Sequence, residues 1–185
     1  MYSLLAIVPF LTTGCGSEEG VQSYKVPRAA TSEKSATGEA RDYRILGAMY
    51  PADDPAWFFK LSGPAEQIAK FEADFDKLAA SVQVRDALAV PTFTLPEGWT
   101  RGGPREGFVK VAETIKLPGS SLEITVIQSG GGVQQNLDRW IGQVGQSGPS
   151  SKYARAFDAV GGKGLRVDVT GPKNPAGGPM MGRKK

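Results

Sequence analysis

The chain has no histidine and a single cysteine, Cys15, among its 185 residues. A Ser-His-Asp triad, a Cys-His dyad, a histidine-liganded zinc site and an intramolecular disulfide are therefore excluded. Long apolar stretches are missing too. The run Leu4–Leu11 (LLAIVPFL) is far shorter than the ~20 residues a spanning helix needs. A basic face is also lacking. The formal charge is +3, but Lys173, Arg183, Lys184 and Lys185 sit in a C-terminal stretch without acids, and the chain before them is close to neutral. No Lys/Arg cluster with interleaved aromatics occurs, which argues against a nucleic-acid partner. No sequence motif implies a cofactor.

Hydrophobic residues make up 40%, enough for one core. The 24 glycines and 13 prolines are about a fifth of the chain, against a usual share of roughly 12%. Length and composition together describe one domain with extended Gly/Pro-rich ends.

Leu4–Leu11 suits the apolar segment of a secretory signal, and it runs into Thr12-Thr13-Gly14-Cys15. A small residue before a cysteine at this place is the pattern of a bacterial lipoprotein signal. Residues 1–14 are then the signal peptide, and Cys15 carries the lipid. Acyl chains partition into a bilayer at about 0.8 kcal/mol per buried CH₂. The expected setting is a membrane anchor with the domain on the periplasmic or extracytoplasmic face of the envelope. Two details depart from the usual signal: Met1-Tyr2-Ser3 has no positive charge, and Thr12 stands where leucine is usual. Residues 15–40 are polar and aperiodic and are read as a flexible tether with a coil reach of about 25–30 Å. A domain over 41–171 follows, then a disordered basic tail over 172–185.

Within 41–171 the pattern predicts an α+β fold: an antiparallel sheet packed with two or three helices. Strands are expected at Tyr43–Tyr50 and Ala56–Leu61 around Pro51-Ala52-Asp53-Asp54-Pro55. Others are expected at Thr92–Leu95, Phe108–Leu117, Leu122–Gln128 and Lys163–Gly171. Ile68, Phe71, Phe75, Leu78 and Val82 recur at helical spacing and predict one helix from Pro64 to about Val82. A second helix is predicted over Val133–Gly145. A short third one over Ser150–Val160 would put Tyr153, Phe157 and Val160 on one side. Alternation places Trp57 and Phe59 on one face of their strand and Phe58 on the other, as in a central strand covered on both sides.

The most specific constellation lies in the second helix. Leu137, Ile141 and Val144 share its apolar face, Asn136, Arg139 and Gln143 a neighbouring polar stripe, with Trp140 at the border. Two amides and a guanidinium in one row suit a carboxylate, a backbone or a polar ligand. Pinning the helix to the sheet, with Trp140 as core, is the favoured reading of the same row, because residues at such a border usually serve packing. Ser129-Gly130-Gly131-Gly132 precedes the helix without the Gly-Lys-Ser/Thr of a phosphate loop and reads as a turn. Gly161-Gly162-Lys163-Gly164 precedes a strand and is no dinucleotide fingerprint. Asp53-Asp54 lack further oxygen ligands at a known spacing and read as a hairpin turn, so no metal is expected.

Three motifs stand together: Trp57-Phe58-Phe59-Lys60-Leu61-x-Gly63-Pro64, Leu95-Pro96-Glu97-Gly98-Trp99 and Asn136-x-x-Arg139-Trp140-x-x-Gln143. The combination resembles uncharacterised envelope lipoproteins of planctomycete-type bacteria. Its layout is similar to the PsbP-like fold of the photosystem II extrinsic protein and the Ran-binding Mog family. Asp138 and Ile141 depart from the motif, where Asn and Arg are usual. The resemblance implies an antiparallel sheet between helices and a non-catalytic accessory or assembly role. The expected function is a lipid-anchored domain binding a protein or small ligand, with Trp99, Asn136, Arg139, Trp140 and Gln143 as candidate contacts. Two alternatives stand beside it. One is an assembly factor of an envelope complex, docking through Trp99, Trp140 or the hairpin tip. The other is a carboxylate-dependent hydrolase of an envelope polysaccharide, which needs two acids converging in a cleft.

Overall fold

The computed structural model describes residues 42–175, apart from 55, 56, 87, 108 and 129. The expected signal peptide, Cys15, the expected tether and residues 176–185 of the expected tail lie outside them.

β1 (Tyr43–Tyr50) and β2 (Trp57–Pro64) form an antiparallel hairpin in register from Tyr43–Pro64 to Tyr50–Trp57. Both strands also pair outward, β1 with β7 (Gly162–Gly171) and β2 with β5 (Glu123–Gln128). The hairpin is thus the centre of a seven-stranded antiparallel sheet of order β3-β4-β5-β2-β1-β7-β6. β3 is Thr100–Arg101, β4 Val111–Lys116 and β6 Ala154–Ala159. Central strands need apolar residues on both faces. Leu46, Ala48, Tyr50, Trp57, Phe59 and Leu61 fill one core, and Ile45, Met49 and Phe58 the other.

The first core lies under α1 (Ala65–Ala69) and α2 (Glu72–Ser81), which bury Ile68, Phe75 and Leu78. The single helix expected over 64–82 is broken at Lys70-Phe71, whose amides donate back three residues to Gln67 and Ile68. This tighter turn re-aims the chain. Phe71 reaches the Trp99 ring edge-on at 6.2 Å, while Glu72 and Asp76 point at arginines of the sheet. The second core lies under α3 (Val133–Gln143), which buries Leu137, Trp140 and Ile141. The molecule is an α+β domain with helices on both faces of its sheet.

Three further expectations change. Ser150–Val160 is not a helix: Ser150–Lys152 form one 3₁₀ turn, and β6 then pairs with β7 from Ala154–Val167 to Ala159–Gly162. The tight turn at Val160-Gly161 requires Gly162 at φ +119°. Phe157 packs on Tyr50, with ring centroids 5.9 Å apart, and Val160 is exposed. Thr92–Leu95 is not a strand; Thr92 makes an isolated bridge to Gln83, and the sheet edge is β3. β4 starts at Val111, where a bulge before Glu113 shifts its register against β5.

Candidate functional site

α3 lies across the middle of the sheet because its apolar stripe meets small and flat surfaces there. Trp140 sits over Gly47 of β1, where a Cβ would come within 2.2 Å of its ring, and meets Phe58 edge-on at 6.1 Å. Its exposure is 1%, so its ring is core and offers no docking face. Trp99, 5% exposed against Phe71, is likewise core. The reading of these two rings as partner contacts is corrected on that ground.

The polar stripe is arranged in two steps. Asn136 is buried; its Nδ2 donates to the carbonyls of Gly131 (3.1 Å) and Gly132 (3.2 Å), closing the glycine loop onto the helix start. Its Oδ1 accepts from Arg139 Nη2 at 2.7 Å. Asn136 is therefore a positioning residue that holds Arg139 without neutralising it. One turn on, Gln143 Oε1 accepts from Lys60 Nζ at 2.5 Å.

Lys60 was not singled out from the sequence. It lies on β2 on the face of Phe58, under the border of α3, with its ammonium 5.5 Å from the Trp140 ring centroid. Burial, with the nearby Arg139 guanidinium adding to it, pushes its pKa down to about 8. Among the described residues neither Lys60 nor Arg139 hydrogen-bonds a carboxylate. The signal was present: a lysine inside a strand whose two faces are both expected to be covered must be buried. The site is thus a row of Arg139, Gln143 and Lys60, with Thr125 of β5 opposite Lys60. It presents two cations and an amide, groups suited to an acceptor-rich ligand.

The other face carries a charge cluster of a different kind. Arg44 grips Asp168 through Nε (2.7 Å) and Nη2 (2.5 Å) and meets Glu72 at 2.8 Å. Arg166, 5% exposed, reaches Asp76 (2.7 Å), Glu72 (2.8 Å) and Asp168 (3.1 Å). The Arg44 guanidinium holds the Glu72 carboxyl below its usual range. Burial works to raise Asp168, but Arg44 and Arg166 outweigh it and hold that carboxyl low as well. Two arginines and three acids are mutually engaged, so this cluster ties α2 to β1 and β7. A cleft of about 350 Å³ opens beside it, lined by Ser151, Lys152, Tyr153, Arg155, Arg166 and Asp168. In the β1–β2 turn, Asp53 accepts from the Asp54 amide at 3.1 Å. Among the described residues no group of three acidic or cysteine side chains is placed to hold a metal ion.

Comparison with protein-family models, with curated proteins and with solved structures finds no match for this chain.

Proposed function

We propose that the chain is a lipid-anchored protein of the cell envelope whose α+β domain binds a ligand or partner without catalysis, using the row Lys60, Arg139 and Gln143. The observation that carries the binding role is the uncompensated pair of cations beside α3. On the other face of the sheet the Arg44–Arg166 cluster pairs its cations with carboxylates. Here the Lys60 ammonium meets the Gln143 amide and the Trp140 ring, the exposed Arg139 guanidinium meets the Asn136 amide, and among the described residues no carboxylate bonds either. An unpaired buried charge is costly, and such groups concentrate where a ligand supplies the missing partner. The anchoring half of the reading is supported by Leu4–Leu11 followed by Thr13-Gly14-Cys15, with Cys15 the sole cysteine. Among the described residues no helix is long and apolar enough to cross a membrane. A sheet between helices is also the layout implied by the PsbP-like resemblance.

Location is the direct test. The full chain is expressed in a bacterium, the cells are converted to spheroplasts, and protease is added with and without lysis. Digestion in intact spheroplasts, with the protein in the membrane fraction, is expected. Protection until lysis would overturn the envelope reading.

A further inference from the structure

The chemistry of the row narrows what it binds; the inference rests on the binding role proposed above. Lys60 brings three N–H donors, and Gln143 Oε1 takes one of them. Arg139 lies one helical turn from Gln143 on the same stripe, a spacing that makes the two side chains neighbours. Its contact with Asn136 Oδ1 uses one of five N–H donors and brings no negative charge. Gln143, its carbonyl occupied by Lys60, keeps its amide N–H group to donate.

The acids on the surrounding elements are occupied. On α3, Asp138 accepts from Gln134 at 2.7 Å. On β5, Glu123 is engaged by Arg105 and stands opposite Lys116 of β4. The sheet position opposite Lys60 is Thr125, a neutral hydroxyl. Lys60 meets Gln143, Arg139 stands near enough to push the Lys60 pKa down, and among the described residues no carboxylate is bonded to either cation.

We propose that Lys60 and Arg139 form an oxyanion site. A carboxylate or phosphate group of the ligand bridges the Lys60 ammonium and the Arg139 guanidinium, and the Gln143 amide donates a further bond. A guanidinium offers the planar fork that both groups accept, and an ammonium adds a compact point charge. The Trp140 ring under Lys60 is already buried, so the anion is met at its charged end rather than stacked.

The full chain, isotope-labelled and held in non-ionic detergent at low ionic strength, is titrated with inorganic phosphate and separately with acetate by NMR. The Lys60 side-chain signal is assigned by its loss in Lys60→Met. Saturable shifts of Lys60 and of the Arg139 guanidinium are expected with at least one of the two anions. Which anion saturates first distinguishes a phosphate from a carboxylate ligand. Arg139→Gln, whose folding is checked by an unchanged backbone amide spectrum because it removes the donor to Asn136 Oδ1, should weaken binding at least tenfold, and Lys152→Gln should leave it unchanged. Shifts that do not saturate, that persist unweakened in Arg139→Gln, or that centre on Lys152 and Arg155 would overturn the proposal. Location in spheroplasts is decided separately, so failure of either result leaves the other standing.

Discussion

An ammonium that leaves water without gaining a carboxylate disfavours the folded state while it stays charged. Lys60 is in that position, with a folded pKa of about 8 against its ordinary 10.5. Below about pH 8 the cost is present in full. Between about 8 and 10.5 the folded chain has shed a proton that the unfolded chain still holds, so stability rises with pH. Tyr50 acts in the opposite sense at higher pH. Burial raises its pKa, its hydroxyl donates to the Ala79 carbonyl at 2.7 Å, and its ionisation above about pH 10 favours unfolding. Urea unfolding should therefore show a midpoint that climbs from pH 8 to 10. Lys60→Met should flatten that climb and stabilise the protein at pH 7 by on the order of 1–3 kcal/mol, after allowing for the Gln143 carbonyl left without its donor. A midpoint independent of pH across that window would contradict the assignment.

At the scale of elements, two fittings fix the helices to the sheet. α3 approaches β1 through Gly47, where a Cβ would lie 2.2 Å from Trp140 Cζ3 and 2.9 Å from Cη2. Gly47→Ala must displace the indole or the strand, and overpacking of this kind costs about 1–3 kcal/mol. Its thermal midpoint should fall and the near-ultraviolet circular dichroism of the tryptophans should change; an unaltered spectrum and midpoint would refute the packing described. α2 is held by the Arg44–Arg166 cluster. Arg166→Ala leaves Glu72 and Asp168 with Arg44 alone and takes from Asp76 its arginine partner. Glu72 and Asp76 retain exposures of 38% and 42%, so solvent screens part of the loss. Urea unfolding should register a destabilisation of about 2–4 kcal/mol. In the intact cluster Glu72 and Asp168 have lowered pKa values. Their stabilisation is present above the ordinary carboxylate range and is lost as pH falls through the lowered folded values. Acid unfolding of Arg166→Ala should accordingly begin at higher pH than in wild type.

The same elements show which parts of the molecule are legible from sequence. The hairpins β1–β2 and β4–β5 are local, with turns marked by Pro51 to Asp54 and by Pro118-Gly119, so alternation and turn chemistry suffice. α3 is legible from the spacing of Leu137, Ile141 and Val144. β6 is not: Tyr153, Phe157 and Val160 match a helical spacing as well as Ala154–Ala159 match a strand, and only pairing with β7 decides. The break at Lys70-Phe71 is invisible for a similar reason, because the apolar period continues through it while the arginines that draw Glu72 and Asp76 lie on β1 and β7. In the site, Arg139 and Gln143 share a helix stripe and can be read together. Lys60 reaches them only through the sheet and helix packing, 83 residues from Gln143 in the chain.

At the scale of the whole molecule one chain carries both a sequence that reads as a lipid attachment signal at Cys15 and a domain whose elements span Tyr43–Gly171. The net charge does not supply a membrane-binding face: outside the C-terminal Lys173, Arg183, Lys184 and Lys185 it is near zero. Attachment through Cys15 is accordingly the central claim. Intact mass and detergent phase partitioning of the full chain produced in a bacterium, beside Cys15→Ala, test it most directly. The wild type should lose residues 1–14, gain the mass of acyl chains and enter the detergent phase, while Cys15→Ala stays in the aqueous phase. Equal masses apart from the substitution, with both proteins aqueous and unprocessed, would contradict the account.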